Sequence, residues 1–228
     1  FILITSILGV TIFNSFTYLS LQSSMVINSS IMASITPLLI ILFSWLIFKT
    51  PTYLMQFFGI ILSIFGVLLI ISKANYINLI NLNFTTGDLW MLAAVFSWGL
   101  YSVLLKKIDN TLSQLATLEV MIFFGLIFIF PFYIMESLHN SYLPKDMNEV
   151  LMISYVAIFA SITSFFAWNK GVSILGANKA SLFLHLIPVF SSMWAIIFLG
   201  ENFSFFHLLG TIFIILGIIL SNLNRKIL

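Results

Sequence analysis

Long uninterrupted apolar runs constrain this chain more than any other feature. A helix needs about 20 apolar residues to cross the hydrocarbon core of a bilayer. Eight runs of about that length occupy residues 1–21, 25–48, 53–73, 88–105, 114–135, 150–170, 178–199 and 204–222. The runs are continuous rather than alternating, and a helix satisfies its own backbone groups within lipid. The sequence therefore predicts an all-α polytopic membrane protein.

The composition excludes several classes of function. Only 7% of the 228 residues are charged, whereas a soluble domain carries about 25%. A net charge of +2, with no basic cluster longer than two residues, indicates no nucleic-acid partner. The chain has no cysteine, so thiolate chemistry, disulfides and Fe–S clusters are excluded. The three histidines lack ligand spacing, so we expect no metal and no cofactor.

The basic residues predict the orientation of the chain. One side of the predicted bundle collects Lys49, Lys106, Lys107, Lys170, Lys179, Arg225 and Lys226. The other side collects only Lys73 and Lys145. Because basic residues concentrate on the cytoplasmic side, we expect a multi-pass protein of the bacterial inner (plasma) membrane with a cytoplasmic C-terminus.

A weak internal repeat appears when the chain is aligned with itself at an offset of 151 positions. The coincidences are Pro37 with Pro188, Gly59 with Gly210, Gly66 with Gly217 and Ser30 with Ser181. The matched spans are five apart, an odd number, so the two copies cross the membrane in opposite directions, as in secondary transporters. We expect eight helices of a ten-helix 5+5 inverted repeat, whose first two helices precede this sequence. The division is 1–73 for the last three helices of the first repeat, 74–87 for an outer connecting loop, and 88–228 for the five-helix second repeat.

Several motifs resemble those of EamA-type transporters of the drug/metabolite transporter superfamily. They are Gly87-Asp-Leu-Trp, Phe166-Ala-Trp-Asn-Lys-Gly-Val, Leu175-Gly-Ala-Asn-Lys-Ala-Ser, Leu186-Ile-Pro-Val-Phe and Phe198-Leu-Gly-Glu. The resemblance covers essentially the whole chain and implies ten helices in two inverted repeats that move small metabolites, often outward. One departure is that Gly200-Glu201 of the second repeat is replaced by Lys49-Thr50 in the first.

Two mid-span prolines define the first group of candidate site residues. Pro37 and Pro188 each remove a backbone hydrogen bond and free a carbonyl, which produces either a tolerated kink or a broken-helix binding site. The polar side chains grouped with them are Ser30, Ser34, Ser181 and His185. In a regular helix Ser181, His185 and Pro188 share one face. These side chains either line a polar cavity or make interhelical hydrogen bonds.

Aromatic and amide side chains form the second group of candidates. The group contains Asn14, Tyr18, Trp98, Tyr101, Trp168 and Asn169. Aromatic rings beside a few polar groups suit a small amphiphilic ligand, although packing or contact with lipid explains aromatic residues equally well. We interpret this group, with the proline-associated residues, as the substrate site.

Glu119 is the one acidic residue clearly inside a predicted span. A buried carboxylate there would serve as an ion-coupling site and would link transport to protons. The alternative is an interfacial carboxylate that is solvated or paired with a nearby lysine.

The sequence thus predicts a secondary transporter that moves small metabolites or drug-like molecules, with export by alternating access. The alternative is a noncatalytic membrane scaffold or assembly partner, and the absence of catalytic motifs argues against an enzyme. The expected partners are the lipid bilayer and a small-molecule substrate, and the spaced glycines also permit a homodimer. A cavity lined by Ser34, Trp98, Trp168 and His185 would favour transport, and a solid core there would favour a scaffold.

Overall fold

Helices build the part of the chain that the structure describes. The computed structural model describes residues 1–80, 85–108, 111–138, 143–200 and 202–223. The helices are α1 (Ile2–Ser23), α2 (Asn28–Phe48), α3 (Leu54–Ile71), α4 (Thr86–Lys107), α5 (Gln114–Ser137), α6 (Met147–Leu175), α7 (Ala177–Phe198) and α8 (Phe205–Ser221). The first seven are long and apolar enough to cross a bilayer, and α8 is a shorter apolar helix. The predicted all-α polytopic class is confirmed.

Each helix coincides with one of the eight predicted apolar runs, with ends that differ by a few residues. Some residues used in the predictions lie outside the described part, namely 81–84 of the connecting loop, Glu201, Arg225 and Lys226. The short helix Tyr76–Ile80 belongs to the same connection. The division at 73 and 88 stays a prediction.

Departures from regular α-helix recur at the 151-residue offset. A π-helical segment spans Ser6–Ile12 in α1, and another spans Val156–Thr163 in α6. Regular α-helix resumes at Thr36 in α2 and at Ile187 in α7, each one residue before a proline. Each proline therefore lies in the first turn of a new helical segment, where its missing N–H breaks no hydrogen bond of that segment. Both helices are interrupted at this point rather than merely bent.

The ends of α2 and α7 also match at this offset. Both helices are followed by a residue in the left-handed conformation, Lys49 with φ 52° and Gly200 with φ 69°. Glycine adopts this conformation without strain, whereas lysine there costs about 1 kcal/mol. The next helices begin at Leu54 and Phe205, again 151 residues apart.

Helices α3 and α8 pack against each other through glycines in a reciprocal pattern. Gly59 contacts Gly217, while Gly66 contacts Gly210. At the centre of the contact, Ser63 Oγ donates to the carbonyl of Ile214 over 3.3 Å, and these two residues are 151 positions apart. Two helices related by a two-fold axis make contacts of this reciprocal kind: if one residue meets the counterpart of a second residue, then the second residue meets the counterpart of the first. The side chains of α3 and α8 therefore meet as two copies of one repeat would.

The bundle places α4 at its centre and leaves large apolar side chains on its periphery. Trp98 and Tyr101 of α4 pack with Leu118, Met121 and Phe165 in a buried cluster between α4, α5 and α6. Side chains on the outer faces of α5 and α6 remain exposed, among them Phe123, Phe130, Tyr155 and Phe159. An apolar periphery of this kind faces lipid in a membrane-spanning protein.

Candidate functional site

A cavity of about 520 Å³ lies where α2, α4, α6 and α8 end and where α3, α5 and α7 begin. We call this the lysine-rich end, since Lys49, Lys106, Lys107, Lys170 and Lys179 lie there. The volume is within the range of small-molecule sites, about 300–1,000 Å³. Its polar lining includes Ser102, Gln114, Thr117, Asn169, Ser173 and Asn178. Apolar lining is provided by Phe48, Val103 and Val172.

Hydrogen bonds hold the polar groups at the inner wall of the cavity. Tyr101 Oη donates to Asn169 Oδ1 over 2.6 Å. Trp168 Nε1 donates to Ser102 Oγ over 3.1 Å, and that hydroxyl donates to the backbone carbonyl of Trp98 over 2.8 Å. Because Asn169 and Ser102 line the cavity, two of its polar groups are fixed from behind by aromatic side chains. The amide nitrogen of Asn169 has no protein partner among the described residues.

An aromatic cluster fills the bundle beyond this wall. The ring of Trp98 lies 4.4 Å from Phe13, 5.1 Å from Tyr101, 5.2 Å from Phe165 and 5.5 Å from Trp168, measured between centroids. The offset and tilted geometries are those that aromatic pairs prefer. On α4 and α6 these residues lie next to the cavity-lining turns, toward the opposite end of the bundle.

The structure therefore brings together four of the predicted site residues, Trp98, Tyr101, Trp168 and Asn169. Of these, Asn169 lines the cavity directly, and the other three lie behind its wall. The predicted aromatic and amide grouping is thus present as a packed cluster beneath a cavity.

The proline-associated residues lie elsewhere, where α2 meets α7. His185 is 1% exposed, and its Nε2 lies 3.0 Å from the backbone carbonyl of Ser34. A carbonyl only accepts, so Nε2 is the protonated ring nitrogen, and Nδ1 is buried with no partner among the described residues. The carbonyl is available because Leu38 donates to Ile35 instead of to Ser34. The carbonyl freed by the break near Pro37 thus contacts His185 of α7 rather than the cavity.

The hydroxyls of this group bond within their own helices. Ser34 Oγ donates to the carbonyl of Ile31 over 2.7 Å, and Ser181 Oγ donates to that of Asn178 over 2.9 Å. Ser30 is half-buried. The segment Ser181–Leu186 is a 3-10 helix, so the expected shared face of Ser181, His185 and Pro188 does not form. A 3-10 helix has about three residues per turn instead of the roughly 3.6 of an α-helix. The backbone adopts it here because Pro188 donates no backbone hydrogen bond.

Three further candidates lie outside the cavity lining. Asn14 Nδ2 donates to the carbonyl of Val10 over 2.8 Å, within α1. Tyr18 is 53% exposed on the same helix. Glu119 is exposed on α5, two residues beyond the cavity-lining Thr117. Their roles in binding or ion coupling stay predictions.

Sequence reasoning missed a buried carboxylate at the opposite end of the bundle. Asp88 is 2% exposed and accepts hydrogen bonds from Ser24 Oγ, from Asn28 Nδ2 at 3.1 Å and from the backbone nitrogen of Thr85 at 2.6 Å. Thr85 and Asp88 form a capping box at the start of α4, which the Thr-x-x-Asp spacing could have indicated. The carboxylate also joins α4 to the turn between α1 and α2.

Of the cavity lining, the sequence predicts only Asn169 as a site residue, and it indicates Lys106 and Lys179 mainly as orientation signals. The available signal was positional, since Ser44, Ser102, Thr117 and Asn169 all lie within two turns of a helix end at the lysine-rich end.

The model of the EamA-like transporter family matches residues 1–72 and 85–223. The chain belongs to the EamA-like transporter family. It is therefore a multi-pass membrane protein of a transporter family, as the EamA motifs indicated.

Relatives within this family are distant in sequence. The chain is 26% identical to the uncharacterized transporter YyaM of Bacillus subtilis (strain 168), over 96% of this chain and 72% of that protein. It is 26% identical to an uncharacterized transporter of Archaeoglobus fulgidus, over 95% of this chain and 74% of that protein. A probable amino-acid metabolite efflux pump of Escherichia coli (strain K12) is 26% identical, over 73% of this chain and 57% of that protein.

A crystal structure of a protein at 17% identity matches 96% of this chain and 75% of its own chain, with a TM-score of 0.76. At that identity the match establishes only that the two chains share a fold.

Proposed function

We propose that this EamA protein is a secondary transporter that exports a small metabolite across a bacterial inner membrane by alternating access. The observation that carries the proposal is the cavity at the lysine-rich end. Polar groups fixed by Tyr101 and Trp168 face into it, and the aromatic cluster around Trp98 lies next to it, toward the opposite end. Alternating access requires a state in which the site opens at one end of the bundle.

The charge distribution supports the proposed direction of transport. Basic residues favour the cytoplasmic side, so the cavity would open to the cytoplasm and load its solute there. The relative in Escherichia coli is named a probable amino-acid metabolite efflux pump, which supports export. A metabolite of amino-acid size is compatible with a cavity of about 520 Å³.

The repeat contacts supply a pivot for the motion. The glycine contacts between α3 and α8 and the bond from His185 to Ser34 lie where the two copies meet. In inverted-repeat transporters one repeat rocks against the other around such a centre. Ser34, Trp98, Trp168 and His185 are packed and do not line this cavity, so the comparison that they were expected to provide between transporter and scaffold does not favour transport. The proposal rests instead on the cavity at the lysine-rich end, which a membrane scaffold does not need.

Reversible blockage of the cavity tests the proposal. The chain has no cysteine, so a single engineered thiol is labelled without background. Ser173→Cys places the thiol in the cavity lining, and the matched control Ser154→Cys places it on the exposed surface of the same helix. Both variants are reconstituted in liposomes and treated with a bulky methanethiosulfonate reagent before uptake of radiolabelled amino acids and organic acids is measured.

The proposal predicts saturable uptake that labelling of Ser173→Cys abolishes and a thiol reductant restores. Labelling of Ser154→Cys should leave uptake unchanged. The scaffold interpretation predicts no saturable uptake of any solute. If uptake is saturable but neither label changes it, the solute does not pass through this cavity.

Proton coupling is tested separately with Glu119→Gln. We propose Glu119 as the coupling group on the grounds of its position in a span, and we use Glu149→Gln, in the exposed first turn of α6, as the control. Coupling predicts that Glu119→Gln alone loses the response of uptake to an imposed pH gradient. If both variants respond as the unsubstituted protein does, Glu119 is an interfacial carboxylate.

A further inference from the structure

The charged side chains that line the cavity are of one sign. Among the described residues these are Lys106 and Lys179, with no aspartate or glutamate in the lining. Neither lysine forms an ion pair with a described residue, and the exposed Glu119 lies outside the lining. Lysines that no described carboxylate neutralises make the lining positive.

The two lysines are placed where a solute would meet them. Lys179 is half-buried, and the ammonium of Lys106 lies 5.0 Å from the ring centroid of Phe48, which also lines the cavity. Gln114 Nε2 donates to Ser173 Oγ over 2.7 Å on the same wall. The lining thus combines two cationic groups with neutral polar groups and an apolar wall.

This arrangement discriminates between classes of solute. An anionic group gains charge-assisted hydrogen bonds from lysine, and an apolar body packs against Phe48, Val103 and Val172. A cation of the same size is repelled by both ammonium groups and finds no carboxylate in the described lining. A neutral solute is neither attracted nor repelled by the charges of the two lysines.

At the opposite end of the bundle, a carboxylate lies beside the position that corresponds to Lys179. The residue 151 positions before Lys179 is Asn28, whose Nδ2 donates to Asp88 over 3.1 Å. A cation at one end is thus replaced at the other by an amide that holds a carboxylate. An anion bound beside Lys179 would meet no equivalent cation at that position of the opposite end, which favours its release there.

We infer that the cavity binds small organic anions, with a carboxylate or phosphate-monoester group between Lys106 and Lys179 and an apolar body against Phe48. The inference deepens the proposed transport function by naming the class of solute.

Binding to the whole chain in nanodiscs tests the inference without requiring transport. The ligands are benzoate, phenyl phosphate, benzyl alcohol and benzylamine, which share one ring and differ in charge. We expect either anion to bind at least about tenfold more tightly than benzylamine, the ratio that one hydrogen bond to a charged group supplies. Equal or tighter binding of benzylamine, or no preference among the four, overturns the inference.

Charge-neutral variants locate the anion within the cavity. Lys106→Gln and Lys179→Gln should each weaken benzoate binding about tenfold. The matched controls are Lys49→Gln and Lys170→Gln, which remove a lysine from the same end but not from the lining or from the ring of Phe48. If all four variants weaken binding equally, the effect is one of overall charge and the inference fails. Asp109 lies outside the described residues, and we expect Asp109→Asn to retain the anion preference.

A lipid headgroup is the other source of an anion. Nanodiscs of phosphatidylcholine alone are therefore compared with nanodiscs that contain phosphatidylglycerol. Equal benzoate affinity in both supports a soluble solute, whereas loss of binding in the presence of phosphatidylglycerol assigns the lysines to lipid and overturns the inference.

The same ligands in the uptake assay separate this inference from the proposed function. Lysine-dependent binding of anions with no uptake would contradict transport and support the anion site. Saturable uptake of neutral or cationic solutes that is unaffected in Lys106→Gln and Lys179→Gln would support transport and contradict the anion site.

Discussion

His185 Nε2 lies 3.0 Å from the backbone carbonyl of Ser34, the residue that occupies the corresponding position of the other repeat. Residues 151 positions apart touch only near a shared axis, so this bond marks the line about which the two copies are arranged. Ser63 and Ile214, also 151 apart, mark the same axis between α3 and α8. The proline break in α2 frees the carbonyl that His185 uses.

Replacing His185 should destabilise the meeting of the repeats. His185→Ala leaves a buried carbonyl without a donor, so we expect the free energy of unfolding to fall by about 1–3 kcal/mol. His185→Gln should recover part of the loss, since its amide nitrogen can donate to the same carbonyl. Titration of the folded protein with SDS in mixed micelles measures these differences.

Ser34→Ala is the control for this prediction. The bond uses the backbone of Ser34, and its hydroxyl bonds Ile31 of the same helix. We therefore expect a change within about 0.5 kcal/mol. A loss in Ser34→Ala as large as that in His185→Ala would show that the bond is not the source of the stability.

Glycine at position 59 permits the close approach of α3 and α8. A Cβ there would overlap the backbone of Gly217 and Ser221, so Gly59→Ala should destabilise the protein by about 1–3 kcal/mol. Gly171→Ala is the same chemical change in α6 where a Cβ meets no atom within 4 Å. It should be neutral or stabilise by about 0.5–1 kcal/mol. Equal effects of the two substitutions, measured in the same SDS titration, would contradict the packing described here.

Tyr101 fixes the position of Asn169 at the cavity wall. Tyr101→Phe removes only the hydroxyl, so we expect a loss of about 0.5–1.5 kcal/mol of stability together with weaker solute binding. Tyr18→Phe removes the same group from an exposed side chain and should change neither. A double-mutant cycle with Asn169→Ala measures the pair directly, and a coupling energy of zero would show that the bond does not contribute.

Asp88 closes the end of the bundle opposite the cavity. An asparagine retains one oxygen and cannot accept from Ser24, Asn28 and Thr85 together. Asp88→Asn should therefore cost about 1–3 kcal/mol of stability. Asp146→Asn, at the exposed start of α6, should cost no more than about 1 kcal/mol. Chemical denaturation of both variants compares them, and an equal cost would assign Asp88 to helix capping alone.

Most of the fold follows from the sequence because lipid imposes one rule on every span. Continuous apolar runs predict each helix to within a few residues, and the scarce prolines and glycines reveal the 151-residue offset. The 3-10 segment Ser181–Leu186 was not predicted, because a proline shows that a hydrogen bond is lost but not how the preceding turn adjusts. The π-helical segments of α1 and α6 have no comparable marker in the sequence.

The site was predictable only in part. Trp98, Tyr101, Trp168 and Asn169 share a region because two helices carry them at helical spacing. Asp88 was missed because its burial depends on Ser24 and Asn28, which lie 64 and 60 positions away in sequence. The cavity lining comes from seven helix ends, and the sequence of one helix does not show which ends converge.

Alternating access itself is tested most directly by the side-dependent reactivity of two single thiols in sealed proteoliposomes. Ser173→Cys reports the cavity, and Ser20→Cys reports the buried polar cluster near Asp88 at the opposite end. Addition of a transported solute should lower the rate at which an impermeant reagent labels Ser173→Cys from the lysine-rich side. Over the same concentration range it should raise the labelling rate of Ser20→Cys from the other side. Rates that are both unchanged, or that rise together, would contradict alternating access.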